Sequence, residues 1–190
     1  MTASMTTSSP LPRTRRRSRT SWKTVARPLK EWLTLIQSSS GTLSEESIRV
    51  LDVGMKRSIT LRDLLIISLL GDEECRNLER IRTIFDNPYA PSSVQIIRNN
   101  LEEAFAHATD MEIRSRCNRG LAILEHAAGH IDNPKGASLL AIITYVKWWM
   151  GDHSAYIWAQ ACLKCDPSCT LASIILSALE HDMFPAQSKD

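Results

Sequence analysis

The chain has 190 residues, of which 43% are apolar and 23% charged, the proportions of a soluble globular protein with room for one ordinary domain. No run approaches the roughly 18 apolar residues of a membrane-spanning helix; the longest, residues 139–150, carries Lys147. The net charge of +2 conceals an asymmetry: residues 1–40 hold eight Lys and Arg against one acid, and residues 41–190 hold fifteen against twenty, so a basic N-terminus joins a mildly acidic body.

Residues 1–21 are rich in Ser and Thr and place Arg13, Arg15, Arg16, Arg17 and Arg19 within seven positions. With almost nothing to bury, this stretch is expected to be a disordered basic arm. Its composition suits phosphate neutralisation on a nucleic acid, an organelle transit peptide, an anionic lipid surface, or a solubilising tail with no specific partner. Leu33-Thr34-Leu35-Ile36 is too short and interrupted to serve as the apolar core of a secretory signal. Five cysteines without such a signal read as reduced thiols and a cytoplasmic location.

Residues 22–37 set Val25, Leu29, Trp32, Leu33 and Ile36 on one helical face, with Pro28 expected in the first turn. Lys23, Arg27 and Lys30 lend this helix a basic face that could lie on a membrane; packing on the body is the expectation adopted. After the Ser38–Gly41 breaker, Thr42-Leu43-Ser44-Glu45 has capping-box spacing, and Leu43, Ile48, Leu51 and Met55 supply an apolar face. Thr60-Leu61-Arg62-Asp63 reads as a second start. The helix after it is apolar nearly all round, so it is expected to be buried and to stop at Gly71. Asp72 is expected to cap one helix carrying Cys75, Leu78, Ile81 and Phe85, ended by Asn87-Pro88. Ser92 or Ser93 opens the next, whose Val94, Ile97, Leu101, Ala104 and Ala108 form a seam that needs a partner helix. Thr109-Asp110-Met111-Glu112 is a third capping box, leading into Ile113, Cys117, Leu121, Leu124 and Ala128. Asn133 and Pro134 are expected to restart the chain. No segment alternates as a strand does, and no hairpin dipeptide occurs. The expected architecture is all-α, with eight or nine helices stacked as antiparallel hairpins in a single domain over residues 22–185 and a short tail over 186–190.

Residues 136–185 are the organising stretch: an apolar helix into Gly151-Asp152, a second into Asp166-Pro167, and a third before Pro185. Small residues at Ala155, Ala159 and Ala161 permit close helix approach, a distantly tetratricopeptide-like arrangement, although the interval from Gly151 to Pro167 is one residue short and the aromatic pattern is incomplete. Trp148-Trp149-Met150-Gly151-Asp152, Ala155 through Leu163, Asp166-Pro167, Leu171-Ala172, Ala178-Leu179 and Pro185 together resemble the C-terminal helical part of a largely actinobacterial family, domain of unknown function 4192. Leu61-Arg62-Asp63-Leu64-Leu65 resembles an earlier element of it. Members usually carry an α/β portion before this part, which is missing here. The resemblance implies no activity, ligand or catalytic residue.

Tyr145, Trp148 and Tyr156 cluster around Gly151 and are the candidate partner-binding residues, while Trp149 and Trp158 are expected to fill the hairpin interior. Two adjacent Trp cannot face one way, so one of Trp148 and Trp149 is expected outside. Cys162, Cys165 and Cys169 have a spacing that thiolate ligands use, but two of them fall at core positions, and a buried cysteine behaves as a small hydrophobe. His126 and His130 lie four apart without the glutamate arrangement of a zinc peptidase. No nucleophile elbow or phosphate loop occurs. The expectation is a helical protein-interaction module with no catalytic residue, cofactor or metal. The alternatives are a nucleic-acid-associated protein using Arg13, Arg15, Arg16, Arg17 and Arg19, and a metal-binding protein using the three cysteines.

Overall fold

The computed structural model describes residues 20–38, 40–130 and 136–185. Those residues form nine α-helices and one 3-10 turn and no strand: α1 (Trp22–Gln37), α2 (Glu45–Arg57), α3 (Ile59–Leu70), the turn Glu73–Arg76, α4 (Leu78–Asp86), α5 (Pro91–Ala106), α6 (Met111–Gly129), α7 (Ala137–Trp149), α8 (Ala155–Cys165) and α9 (Thr170–Glu180). The five arginines of the basic arm and the Asn133-Pro134 restart lie outside the described residues.

The all-round apolar sequence of α3 places it at the centre. Leu61, Leu64, Leu65, Ile66, Ile67, Leu69 and Leu70 are all buried, each contributing about 1.5–3 kcal/mol by leaving water. Helices α2, α4, α5, α6 and α7 all pack against α3. Its one buried polar residue, Ser68, accepts from Trp32 Nε1 at 2.9 Å and donates to the Leu65 carbonyl at 2.7 Å, so its hydroxyl is satisfied. Consecutive helices with short links double back on one another, as in α1–α2, α7–α8 and α8–α9. Gly151 (φ 77°) makes the turn between α7 and α8. Ala155 and Ala159 are fully buried beneath α7, whereas Ala161 is partly exposed.

Several helix starts differ from the sequence expectation. Ser44, not Thr42, caps α2, accepting from the Ser47 N–H at 3.3 Å. The second half of its capping box comes from another helix, since the Ser44 N–H donates to Glu31 of α1 at 2.6 Å. Asp110, not Thr109, caps α6, accepting from the Glu112 and Ile113 N–H groups. Helix α3 begins one residue before Thr60 without a side-chain cap, and Asp63 pairs with Arg62 instead. The expected Cys75–Phe85 helix is two pieces, because Asn77 has an extended backbone and caps α4. Helix α5 starts at Pro91, ahead of the two serines. Pro28 sits inside α1, where its missing N–H costs about 3 kcal/mol. The turn before it is held by Trp22, whose ring packs at a tilt on Phe85 with centroids 5.7 Å apart, and by Val25, which is fully buried.

Three arginines of α6 act as clasps on the ends of other helices. Arg116, 4% exposed, donates to the Leu69 carbonyl at 2.7 Å and the Gly71 carbonyl at 3.1 Å at the end of α3. Arg119 donates to the Ile36 carbonyl of α1 at 2.9 Å, and Arg114 to the Met150 carbonyl after α7 at 3.1 Å. Cations at helix C-termini satisfy orphan carbonyls and complement the helix dipole, so α6 ties three helices into one unit.

Candidate functional site

The α5 seam is only partly buried. Helix α5 turns Ser93, Asn100 and Ala104 inward. Val94 is 51% exposed, and Ile97 and Leu101 are only half-buried. The seam's Ala104 and Ala108 are buried and Ile97 and Leu101 pack partly on the core, which leaves Val94 as its exposed end. Val94, Ile97, Leu101 and Phe105 form one wall of a groove of about 1310 Å³. The groove is also lined by Ser21 and Trp22 at the start of α1, the end of α2 at Lys56 and Arg57, and the start of α3 at Ile59 and Asp63. Phe85, Pro88 and Tyr89, around the end of α4, close one side. Ile59 is 65% exposed and Tyr89 is 89% exposed. Three of the large exposed apolar side chains of the molecule therefore converge on one concavity, and such convergence marks interaction surfaces more than scattered exposure does.

The rim of the groove is charged. Arg98 pairs with Glu102 at 2.6 Å, and Arg82 lies 3.6 Å from Asp86. Lys56 is held at 2.6 Å by Asp52, a buried carboxylate outside the groove. Lys23 and Arg57 make no ion pair among the described residues, and both are exposed at the mouth. Thr20, the first described residue, also lines the groove. Within the lining, burial pushes the Asp63 carboxyl above its usual value against the pull of Arg62. Burial, with the Asp63 charge, lifts the Tyr145 hydroxyl to about 12.

The aromatic trio read from the sequence is split. Tyr145 and Trp148 meet with ring centroids 5.6 Å apart, and Phe105 joins Trp148 at 5.9 Å, so this pair backs onto the α5 end of the groove. Tyr145 is 8% exposed, which leaves little of its ring for a partner. Trp148 is the outer of the two adjacent Trp and donates to the Met183 carbonyl at 2.7 Å. Trp149 is buried and donates to the Ala104 carbonyl at 3.2 Å. Tyr156 stands apart on α8, exposed beside Ile157, with Ile174 exposed on α9. His126 and His130 lie on the surface at the end of α6, with rings 4.3 Å apart and His130 Nδ1 bonded to the His126 carbonyl.

Sequence reasoning missed Ile59, Tyr89 and Phe105. Tyr89 had a signal available: an aromatic beside Pro88 in a short link has no helix face to bury it. For the α5 seam the spacing was legible, but how much of it the fold buries was not. Among the described residues, no group of three or more His, Cys, Asp and Glu side chains is placed to hold a metal ion. No helix among them is long and apolar enough to cross a membrane. Comparison with family models, with curated proteins and with solved structures finds no match for the chain.

Proposed function

We propose that the protein is a non-catalytic helical interaction module whose α1–α3–α4–α5 groove takes the apolar face of an acidic amphipathic helix from a partner protein. The observation that carries this reading is the α5 seam, where Val94 is exposed and Ile97, Leu101 and Phe105 are only half-buried at helical spacing along the groove. Size supports it. A helix about 10 Å across occupies about 420 Å³ per turn, so the groove matches about three turns and exceeds the roughly 300–1,000 Å³ of small-molecule pockets. Charge supports an acidic partner: Lys23 and Arg57 are exposed among the lining residues, and the sequence just before Thr20 carries five arginines. Apolar anchors at i, i+3, i+4 and i+7 would supply affinity, and flanking carboxylates would speed encounter.

A displayed library of acidic amphipathic helical peptides, selected on the full chain, tests this reading. Selected peptides should lose at least about tenfold in affinity, or about 1.4 kcal/mol, to Val94→Glu and Tyr89→Ala, which alter exposed residues and leave the fold intact. Binding should weaken as salt rises. A library that yields no binder, or binders indifferent to both variants, rejects the groove.

A second reading is nucleic-acid association through Arg13, Arg15, Arg16, Arg17 and Arg19. It is supported by Lys23, Arg27 and Lys30, all exposed on the outer side of α1. Steeply salt-dependent binding of duplex DNA or RNA that disappears on deleting residues 1–19 would favour it. The weaker metal reading at Cys162, Cys165 and Cys169 is decided by the metal content of the purified chain. Kinship with domain of unknown function 4192 is proposed on the residues from Trp148 to Pro185 and adds no activity to either reading.

A further inference from the structure

Helices α8 and α9 pair with α7 and turn a second face to solvent. Both lie against α7 and against each other, and the short link 166–169 makes them antiparallel. Their inward faces are built from Ala155, Ala159 and Cys162 in α8, and from Ala172, Ile175 and Ala178 in α9. Their outward faces carry large apolar side chains. Tyr156 and Ile157 stand out from α8, and Ile174 stands out from α9 beside the exposed Ser173 and Ser177. Ile157 is 67% exposed and Ile174 is 64% exposed.

The solvent face of an amphipathic helix ordinarily carries charge. These two carry very little. Each has eleven residues and one charged side chain, Lys164 in α8 and Glu180 in α9, where the chain's average of 23% would place about two or three. Depletion of charge around an exposed Tyr and two exposed Ile is the composition of the middle of a protein interface.

The two charges that remain select the partner. Both are exposed, and neither makes an ion pair among the described residues. Lys164 sits in the last turn of α8, beside the link, whereas Glu180 ends α9 at the opposite end of the pair. The rise of α9 separates them by about 15 Å, too far to meet within one chain. A second copy brings them together. A two-fold axis in the plane of the outward faces, running diagonally across the pair, sets Lys164 of each copy against Glu180 of the other. The face is therefore complementary to itself.

We infer that the outward face of α8 and α9 is a self-association surface, on which two copies of this chain pair about a two-fold axis with Lys164 of one against Glu180 of the other. Two helices about 16 Å long and about 10 Å wide offer a footprint of about 330 Å². That is well under the roughly 800 Å² each partner of a standard interface buries. The dimer is accordingly weak and reversible, with a Kd on the order of 10 μM. No residue of α8 or α9 lines the α5 groove, so the two surfaces act independently.

Sedimentation equilibrium of the full chain in low salt, loaded at about 2–200 μM, tests the pairing, and a monomer–dimer equilibrium is expected. Ile157→Glu and Ile174→Glu change exposed residues and should each weaken it at least about tenfold, with an unchanged far-UV circular dichroism spectrum. Val94→Glu, in the groove, should leave it as it is. Lys164→Glu and Glu180→Lys should each weaken it about 3–30-fold, because two attractive pairs become repulsive. An equimolar mixture of those two variants should recover the original strength as a heterodimer, since every pair between the copies is then of opposite sign. A chain that stays monomeric throughout leaves the face to another protein and overturns the proposal. So does a dimer that survives both isoleucine variants, a dimer lost in Val94→Glu instead, or a mixture that associates no better than either charge variant alone.

Discussion

Replacing Arg116 with Met keeps most of its stem and removes its two donors. The Nε–H to the Leu69 carbonyl at 2.7 Å and the Nη2–H to the Gly71 carbonyl at 3.1 Å are both lost. The Gly71 carbonyl keeps a donor, Arg76 Nη1 at 3.0 Å, so the acceptor left orphaned is that of Leu69. A hydrogen bond from a charged donor is worth about 1.5–3 kcal/mol, and an unsatisfied buried acceptor costs about 1–3 kcal/mol. Burial, followed by the neighbouring Arg76 charge, already disfavours the Arg116 cation, and Met relieves that penalty in part. The net loss should be about 2–3 kcal/mol, or about 4–12 °C in melting temperature at this chain length. Urea unfolding of the full chain measures it as a lower midpoint at unchanged slope. Arg116→Lys should recover only part of the loss, because an ammonium cannot reproduce the fork that reaches both carbonyls. A loss below about 0.5 kcal/mol for Arg116→Met would refute the view that α6 clasps the end of α3.

Two glycines of α6 should respond in opposite directions. A Cβ at Gly120 would lie 2.5 Å from Leu69 Cδ2, a fully buried side chain, so Gly120→Ala should destabilise by about 1–3 kcal/mol despite the gain in helix propensity. At Gly129 nothing lies within 4 Å, so Gly129→Ala should stabilise by about 0.5 kcal/mol; paired thermal melts check both. For Glu31, burial works to raise the carboxyl, but donation from Ser47 and Ser44 outweighs it and holds the carboxyl below its ordinary 4.5. A depressed folded value means stability that is present above about pH 4.5 and lost as pH falls through the folded value. Glu31→Gln should therefore flatten the stability curve measured between about pH 5 and pH 3, and an unchanged slope would show that the carboxylate does not bridge α1 to α2.

The elements were legible where one physical cause dominated. Seven buried Leu and Ile residues gave α3 away before its position was known, because a helix apolar on all sides has no solvent face. The interior Pro28 was misplaced because its cost is offset by the packing of Trp22 on Phe85, a contact distant in sequence. The cap of α2 was displaced from Thr42 to Ser44 because its partner carboxylate, Glu31, belongs to another helix. Arg114, Arg116 and Arg119 look like surface charges in the sequence, and only the ends of α7, α3 and α1 beside them reveal their role. The α5 seam was readable as a face seeking a partner. That α3 covers only its Ala104–Ala108 end and leaves Val94 open depends on where every other helix goes, which no local pattern encodes.

The central claim is that the partly buried α5 seam is a binding surface. Hydrogen–deuterium exchange of the full chain, with and without a peptide selected from the acidic amphipathic library, tests it most directly. Protection confined to residues 56–63, 85–89 and 94–105 is the predicted result. Protection centred instead on Tyr156, Ile157 and Ile174, the exposed apolar residues of α8 and α9, would contradict it.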